Sequence, residues 1–318
     1  MYNRKISKRH SPHRGCAFFN AKDGCLCPRL ADKFLVPPFS VFDSKQGYWQ
    51  RRKKEWKAIG LDSGAGRDDA LIGDGLKALA KKHGSNLTGT SIFDPVLCEV
   101  VYNWYSSQNG IIFDPFAGGS VRGIVAEMLG RKYIGIDLSQ KQVDANQINA
   151  DRLGVCPVWY CDDSKNADSY IEDETADLLF SCPPYHNLER YSDHPLDLSN
   201  MNYTDFIEAY TEIITTACRK LRENRFAVWV VGDIRDKKGV YRDFPGDTKR
   251  VFKDNGLHLY NESILLEQYG TAPMRAGKQF TAKRKTVKVH QIVLVFYKGD
   301  VKTIEPKEDF AFADLSKY

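Results

Sequence analysis

The chain has 318 residues, 42% of them apolar and 27% charged, enough for a sizeable core and too apolar for wholesale disorder. Its longest apolar runs, residues 226–231 and 291–297, are of strand length, and its opening residues lack the apolar stretch of a secretory signal, so neither a membrane span nor secretion is expected. Eight irregularly spaced cysteines suit a reducing cytoplasm better than a disulfide scaffold, and a formal charge of +5 says little until its distribution is seen. Residues 1–57 hold 14 Lys or Arg against 4 Asp or Glu. Within them, residues 49–56 predict a helix in which Trp49, Trp56 and Ile59 share one face while Arg51, Arg52 and Lys54 stay outside. Residues 60–89 contain seven glycines and are expected to form connections around one short helix.

From about Thr90 the pattern alternates between strand and helix. Residues 111–114 form a short apolar run ending on an acid. Val121, Ile124, Val125, Met128 and Leu129 then recur at helical spacing until Gly130 stops them. Further strands are expected at 132–137, 158–161, 176–181, 226–231, 257–266 and 289–297. Helices are expected after residue 137, over 206–221 and over 248–254. The repeated strand–helix unit predicts an α/β domain over residues 90–300, Rossmann-like, with a mostly parallel seven-stranded sheet and an antiparallel last strand. A basic extension, 1–89, precedes it and a tail, 301–318, follows it. No internal repeat is present.

In such sheets ligands sit at the carboxyl ends of the strands. After the first strand comes Asp114-Pro115-Phe116-Ala117-Gly118-Gly119-Ser120, whose small residues let backbone approach a ligand. Asp137 ends the next strand, where a carboxylate can accept from ribose hydroxyls; Asp162 and Asp163 end the third, where one can accept from an adenine amino group. The fourth strand ends in Ser181-Cys182-Pro183-Pro184-Tyr185. Two prolines stiffen the backbone and leave carbonyls free to accept, and the aromatic ring beside them offers a stacking face. An exocyclic amine on a flat base needs such a corner. Fixed acceptors for both its protons favour a pyramidal nitrogen and direct its lone pair at a methyl donor.

These motifs resemble those of the amino-directed DNA methyltransferases, which make N6-methyladenine or N4-methylcytosine from S-adenosylmethionine. Asp114-Pro115-Phe116-Ala117-Gly118 is similar to their donor-binding motif, and Cys182-Pro183-Pro184-Tyr185 to their catalytic (Asp/Asn/Ser)-Pro-Pro-Tyr. Leu188-Glu189-Arg190-Tyr191 resembles the loop that follows. The stretch Phe34-Leu35-Val36-Pro37-Pro38-Phe39-Ser40-Val41 with Gln46-Gly47-Tyr48-Trp49-Gln50 is similar to a phage and prophage branch of such enzymes. In that branch a segment like residues 89–97, here with Thr90, Phe93 and Asp94, helps hold the methionine end of the donor. The resemblance covers about residues 30–300. It implies a cytoplasmic enzyme that uses S-adenosylmethionine, binds DNA with the target base flipped out, and needs no metal.

Two positions depart from that pattern. Ser120 stands where the family usually has glycine, and Cys182 offers a thiol where a stronger acceptor is usual, with Ser181 as a candidate to compensate. Cys182 also raises carbon-5 pyrimidine methylation through a thiolate. That chemistry places the cysteine after a proline and uses a later Glu-Asn-Val, whereas here the order is Cys-Pro and Glu223-Asn224-Arg225 precedes its strand. An RNA amino-methyltransferase with the same tetrapeptide is compatible with these motifs, and so is a binding module that has lost the reaction.

Phosphate contacts are expected from Arg51, Arg52 and Lys54, from Arg190 in the loop, and from Arg275, Lys278, Lys283, Arg284 and Lys285 in a basic insertion over 269–290 that contains no acid. His10, His13, Cys16, Cys25 and Cys27 match no common zinc spacing. Cys98, Cys156, Cys161 and Cys218 fall on apolar segments and are expected in the core. His186 is read as a loop contact.

Overall fold

The computed structural model describes residues 34–62, 64, 66, 92–186, 192 and 194–306. In chain order its main elements are β1 (Val41–Asp43), α1 (Gly47–Ala58), α2 (Pro95–Tyr105), β2 (Ile111–Asp114), α3 (Val121–Met128), β3 (Lys132–Asp137), α4 (Gln140–Leu153) and β4 (Val158–Cys161). There follow β5 (Ala176–Ser181), α5 (Tyr203–Lys220), β6 (Leu221–Val231), α6 (Phe244–Asp254), β7 (Leu257–Leu266), α7 (Ala272–Lys283) and β8 (His290–Lys298). No described helix is long and apolar enough to cross a membrane.

The strands form one sheet in the order β1-β7-β8-β6-β5-β2-β3-β4. Only β8 runs against its neighbours, pairing antiparallel with both β6 and β7. From β2 the chain first builds outward through β3 to β4, then returns to place β5 on the other side of β2. That reversal opens a crevice at the carboxyl ends of β2 and β5. Setting β1 aside, this is the Rossmann-like, mostly parallel seven-stranded sheet with an antiparallel last strand that the sequence predicts.

Side chains alternate across the sheet, as the pleat requires. On β5 and β6, Leu178, Phe180, Val228 and Val230 join one buried cluster, with Trp49, Trp56 and Tyr102. Leu179, Ala227, Trp229 and Val231 join the other, with Phe206, Tyr210 and Phe252. Helices α1 to α4 therefore cover one face, and α5 and α6 the opposite one.

Three features correct the expected layout. The described part of the basic N-terminal segment, from residue 34, packs on the α/β core: β1 pairs parallel with the end of β7, and Trp49 and Trp56 of α1 are fully buried. The sheet thus has eight strands, not seven. Arg52, expected outside, is turned inward. Its guanidinium holds Glu99 through two bonds, of 2.9 and 2.6 Å, while Trp56 Nε1 donates to the same carboxylate at 2.8 Å. Burial would lower the Arg52 pKa, but the bonds to Glu99 and Glu55 raise it overall. Finally, the basic insertion contains a three-turn helix, α7.

Of the cysteines expected in the core, Cys98 and Cys218 are buried, Cys161 is exposed, and Cys156 is exposed and disulfide-bonded rather than free. His10, His13, Cys16, Cys25 and Cys27 lie outside the described residues, as does almost all of the glycine-rich connection.

Candidate active site

The loop after β2 and the corner after β5 open onto one cavity of about 930 Å³. From the first come Pro115, Phe116, Gly118 and Gly119; from the second come Cys182, Pro183, Pro184 and Tyr185. Phe93 and Asp94 line it from the start of α2, Asp137 from the end of β3 and Asp163 from beyond β4. The volume falls within the roughly 300–1,000 Å³ of pockets that enclose small ligands.

Asp114 does not reach this space. Its carboxylate is wholly buried and accepts from Arg122 Nε (2.5 Å), the Tyr133 hydroxyl (2.7 Å), the Ser181 hydroxyl (2.5 Å) and the Phe116 N–H (3.1 Å). It is a junction of four elements. Ser181 is equally committed, so it does not stand in for the weak acceptor at position 182. Arg122 goes on to donate to the carbonyls of Phe116 (2.6 Å) and Ala117 (3.0 Å), and its guanidinium lies 4.5 Å from the centre of the Phe93 ring. A single buried cation thus shapes the whole loop. Ala117 is fully buried and supports the loop from beneath.

Gly118 has φ of +50°, a conformation that favours glycine, and a side chain there would project into space with no atom within 4 Å. Its N–H donates to Asp137 Oδ2 at 2.9 Å and its carbonyl accepts from Asn146 at 2.7 Å. Ser120 sits in ordinary right-handed helical conformation, φ −66°, where a glycine is not needed. Its hydroxyl is buried and accepts from Asn149 at 2.7 Å, away from the cavity.

Burial pushes the Asp137 carboxyl above its ordinary pKa, while the N–H groups of Ser139 and Gly118 pull the other way. Asp162 is half-buried and does not line the cavity. Burial would raise its pKa, but bonds from Tyr170, Asn166 and the Asp163 N–H together hold it below the usual value. Asp163 takes the cavity position instead, its Oδ1 capping the turn through the Lys165 N–H. The exposed glycine backbone, an acid at the end of β3 and a second beyond β4 fit a nucleoside-bearing donor.

At the corner, Pro183 is buried and both prolines lack an N–H. Among the described residues, no donor outside helices and strands is bonded to the carbonyls of Cys182 or Pro183. The Cys182 sulfur lies 3.6 Å from the Tyr185 hydroxyl, which also donates to the Val230 carbonyl at 3.4 Å. Burial pushes the Cys182 thiol up to about 11, with Arg122 and the Tyr185 bond opposing. Gly232 leaves room for the ring: a Cβ there would lie 3.1 Å from Tyr185 and 2.7 Å from Lys288 Nζ. His186 is part of the core rather than a loop contact. It is 4% exposed, packs edge-on against Tyr203 and Phe206, and bonds the Met201 carbonyl through Nε2.

Several residues that line the cavity carry no motif in the sequence. Lys53 of α1 pairs with Asp94 at 2.8 Å, beside Trp49 Nε1 on the same oxygen and the Val96 N–H on the other. Asp94 is thereby a helix cap held from two sides. Glu267 and Lys288 also line the cavity. Burial raises the first and lowers the second, and each charge offsets the other in part. Of the expected phosphate contacts, Arg51, Lys54, Arg275, Lys278, Lys283 and Arg284 are exposed, Lys285 is half-buried and Arg275 reaches the cavity rim. Thr90, Arg190 and most of the loop after Tyr185 lie outside the described residues.

Residues 46–148 match the family model described as DNA methylase, of N6/N4 type. The matched stretch takes in α1, α2, the loop after β2, β3 and most of α4, and ends before the Cys-Pro-Pro-Tyr corner. Over 70 residues the chain is 34% identical to the Type II methyltransferase M.HinfI of Haemophilus influenzae. That alignment spans 22% of this chain and 19% of the relative. Among solved structures, a putative rRNA-methylase from Clostridium thermocellum aligns at a TM-score of 0.44 with 11% identity, over 66% of this chain and all of that one. A putative methyltransferase from Streptococcus mutans, in complex with SAH, aligns at 0.42 with 10% identity, over 65% of this chain and 99% of that one.

Proposed function

We propose that the protein is a DNA methyltransferase that places the methyl group of S-adenosylmethionine on the exocyclic amine of cytosine (N4) or adenine (N6). One observation carries this reading: the loop after β2 and the Cys-Pro-Pro-Tyr corner after β5 line one cavity. When bound, S-adenosylmethionine supplies a methyl carbon on a sulfonium, electrophilic enough for direct attack by nitrogen.

The chain's own groups do the rest. Gly118, Gly119, Asp137 and Asp163 would hold the nucleoside part of the donor, and Phe93 and Asp94 with Lys53 its amino-acid end. Tyr185 stacks against the flipped base. The carbonyls of Cys182 and Pro183 accept the two amine protons, which holds the lone pair toward the donor and stabilises charge that grows on nitrogen as the bond forms. Because backbone carbonyls can serve, the thiol at position 182 is no obstacle. The same thiol, pushed up to about 11 by burial, is protonated at neutral pH, which argues against carbon-5 chemistry because that needs a thiolate. The exposed cations of α1 and α7 would take the phosphates.

The test is transfer of labelled methyl groups from S-adenosylmethionine to duplex DNA and, separately, to RNA. Digestion to nucleosides follows, with identification by mass and retention. N4-methylcytosine or N6-methyladenine in DNA supports the reading and decides between the two bases. Label on RNA alone would replace the polymer, 5-methylcytosine would replace the chemistry, and binding of both ligands without turnover would leave only a binding module.

A further inference from the structure

Between β6 and α6 the chain makes a short hairpin, residues 234–242, at the mouth of the cavity. Its base is fixed: Ile234 is buried, Arg242 N–H donates to the Ile234 carbonyl at 2.9 Å, and the Arg242 guanidinium lies 4.3 Å from the centre of the Tyr203 ring. A bridge joins Arg235 and Tyr241. The Arg235 guanidinium stacks 3.7 Å from the Tyr241 ring and donates to the Gly239 carbonyl at 2.8 Å. Asp236 closes the turn, taking the Val240 N–H on its side chain and the Gly239 N–H on its carbonyl, both at 2.9 Å. So many local bonds make the arm stiff.

What the arm carries is unusual for a surface turn. Val240, just beyond the turn at residues 237–239, is 62% exposed, next to Tyr241 at 41%. Lys237 and Lys238 precede it, both exposed, and the Lys285 ammonium from the segment after α7 rests against Gly239. Arg235 and Tyr241 line the same cavity as Tyr185. An exposed apolar side chain flanked by three cations, beside the pocket proposed to receive a base, matches the hole a flipped nucleotide leaves in a duplex. Such a hole is apolar between the neighbouring bases and bordered by phosphates.

We propose that this hairpin enters double-stranded DNA at the target position, with Val240 filling the space of the extruded base and Lys237, Lys238 and Lys285 on the flanking phosphates. The proposal rests on the DNA-methylation reading and adds to it the residue that keeps the base out of the stack.

Once sequencing of methylated DNA has located the target, two duplexes of that sequence test it, one fully paired and one with the target opposite an abasic site. Val240→Ala is expected to slow methyl transfer to the paired duplex by at least about tenfold and to leave the abasic-opposed duplex within about twofold, because an unpaired base needs no wedge. Val240→Leu is expected to restore the paired rate. Equal losses on both duplexes, or no loss on either, overturn the assignment while the enzyme reading stands. If the unaltered protein methylates neither duplex although it binds S-adenosylmethionine, the underlying reading fails and the hairpin's role falls with it.

Discussion

The Ser181 hydroxyl donates to the Asp114 carboxylate across 2.5 Å, and this bond joins the ends of β5 and β2. The strands that carry the Cys-Pro-Pro-Tyr corner and the glycine-bearing loop are adjacent in the sheet, so the two sides of the cavity share one buried polar centre. Arg122 and Tyr133 complete it on the same carboxylate. Removing the charge leaves Arg122 buried without its counter-ion, while its bonds to the Phe116 and Ala117 carbonyls remain. Asp114→Asn is therefore expected to cost about 3–5 kcal/mol of stability, the usual penalty for breaking a buried ion pair. Ser181→Ala should cost about 1–3 kcal/mol. Urea unfolding midpoints measure both, and an Asp114→Asn protein as stable as the parent would contradict the arrangement.

Tyr185 contributes a flat face, and its hydroxyl makes only long contacts, 3.6 Å to Cys182 and 3.4 Å to the Val230 carbonyl. Tyr185→Phe should keep methyl transfer within a few-fold. Tyr185→Ala should lose the stacking contribution of about 1–3 kcal/mol per base, roughly a five- to 150-fold fall in kcat/KM for DNA. Donor affinity, read by calorimetry, should change little in either variant. Full activity in Tyr185→Ala would remove Tyr185 from the site.

A Cys182 thiol with a pKa near 11 is almost entirely protonated at neutral pH. Its alkylation by iodoacetamide should be slow at pH 7 and speed up through pH 9 and 10, since the thiolate is the reacting form and each unit of pH raises its fraction about tenfold below the pKa. Cys182→Ser should retain or improve methyl transfer, because a hydroxyl is the better acceptor and no thiolate takes part. Loss of all activity in that variant would instead point to covalent carbon-5 chemistry.

Charge alone assigns both Arg52 and Arg275 to phosphates, and the structure separates them. Arg52 is 5% exposed and bonded to Glu99, whereas Arg275 is exposed at the cavity rim. Arg52→Ala should lower stability by about 3–5 kcal/mol through the stranded Glu99. Arg275→Ala should leave the melting temperature unchanged, weaken DNA binding and reduce the slope of log affinity against log salt by about one. Opposite outcomes for the two variants would reverse the assignment.

The architecture was legible wherever a segment buries one face. Helices α3 and α5 and strands β2 to β5 and β7 fall where their apolar spacing places them, and Gly130, Gly154 and Gly256 take positive φ just beyond the helices they end. Helix α2 was hidden because Pro95 through Tyr102 are all buried, so no polar stripe marks a helical period. Strand β1 has three residues, too few to show alternation, and exists by pairing with residues 264–266. In α7 only Ala272 is buried, so its pattern carries no core-facing stripe.

By itself the sequence determined the mostly parallel α/β plan and the glycine-bearing and double-proline motifs at the strand ends. These depend on residue type and local spacing, which a linear chain displays. Only the tertiary structure decided which polar groups face the cavity: that Asp114, Ser181 and Ser120 are turned into protein, that Asp163 takes the place beside Asp162, and that Arg52 holds Glu99. Lys53, Glu267 and Lys288 reach the cavity from elements far apart in the chain. The direction of a charged side chain follows from which partner can repay its desolvation, and that partner is chosen by the packing of the whole sheet.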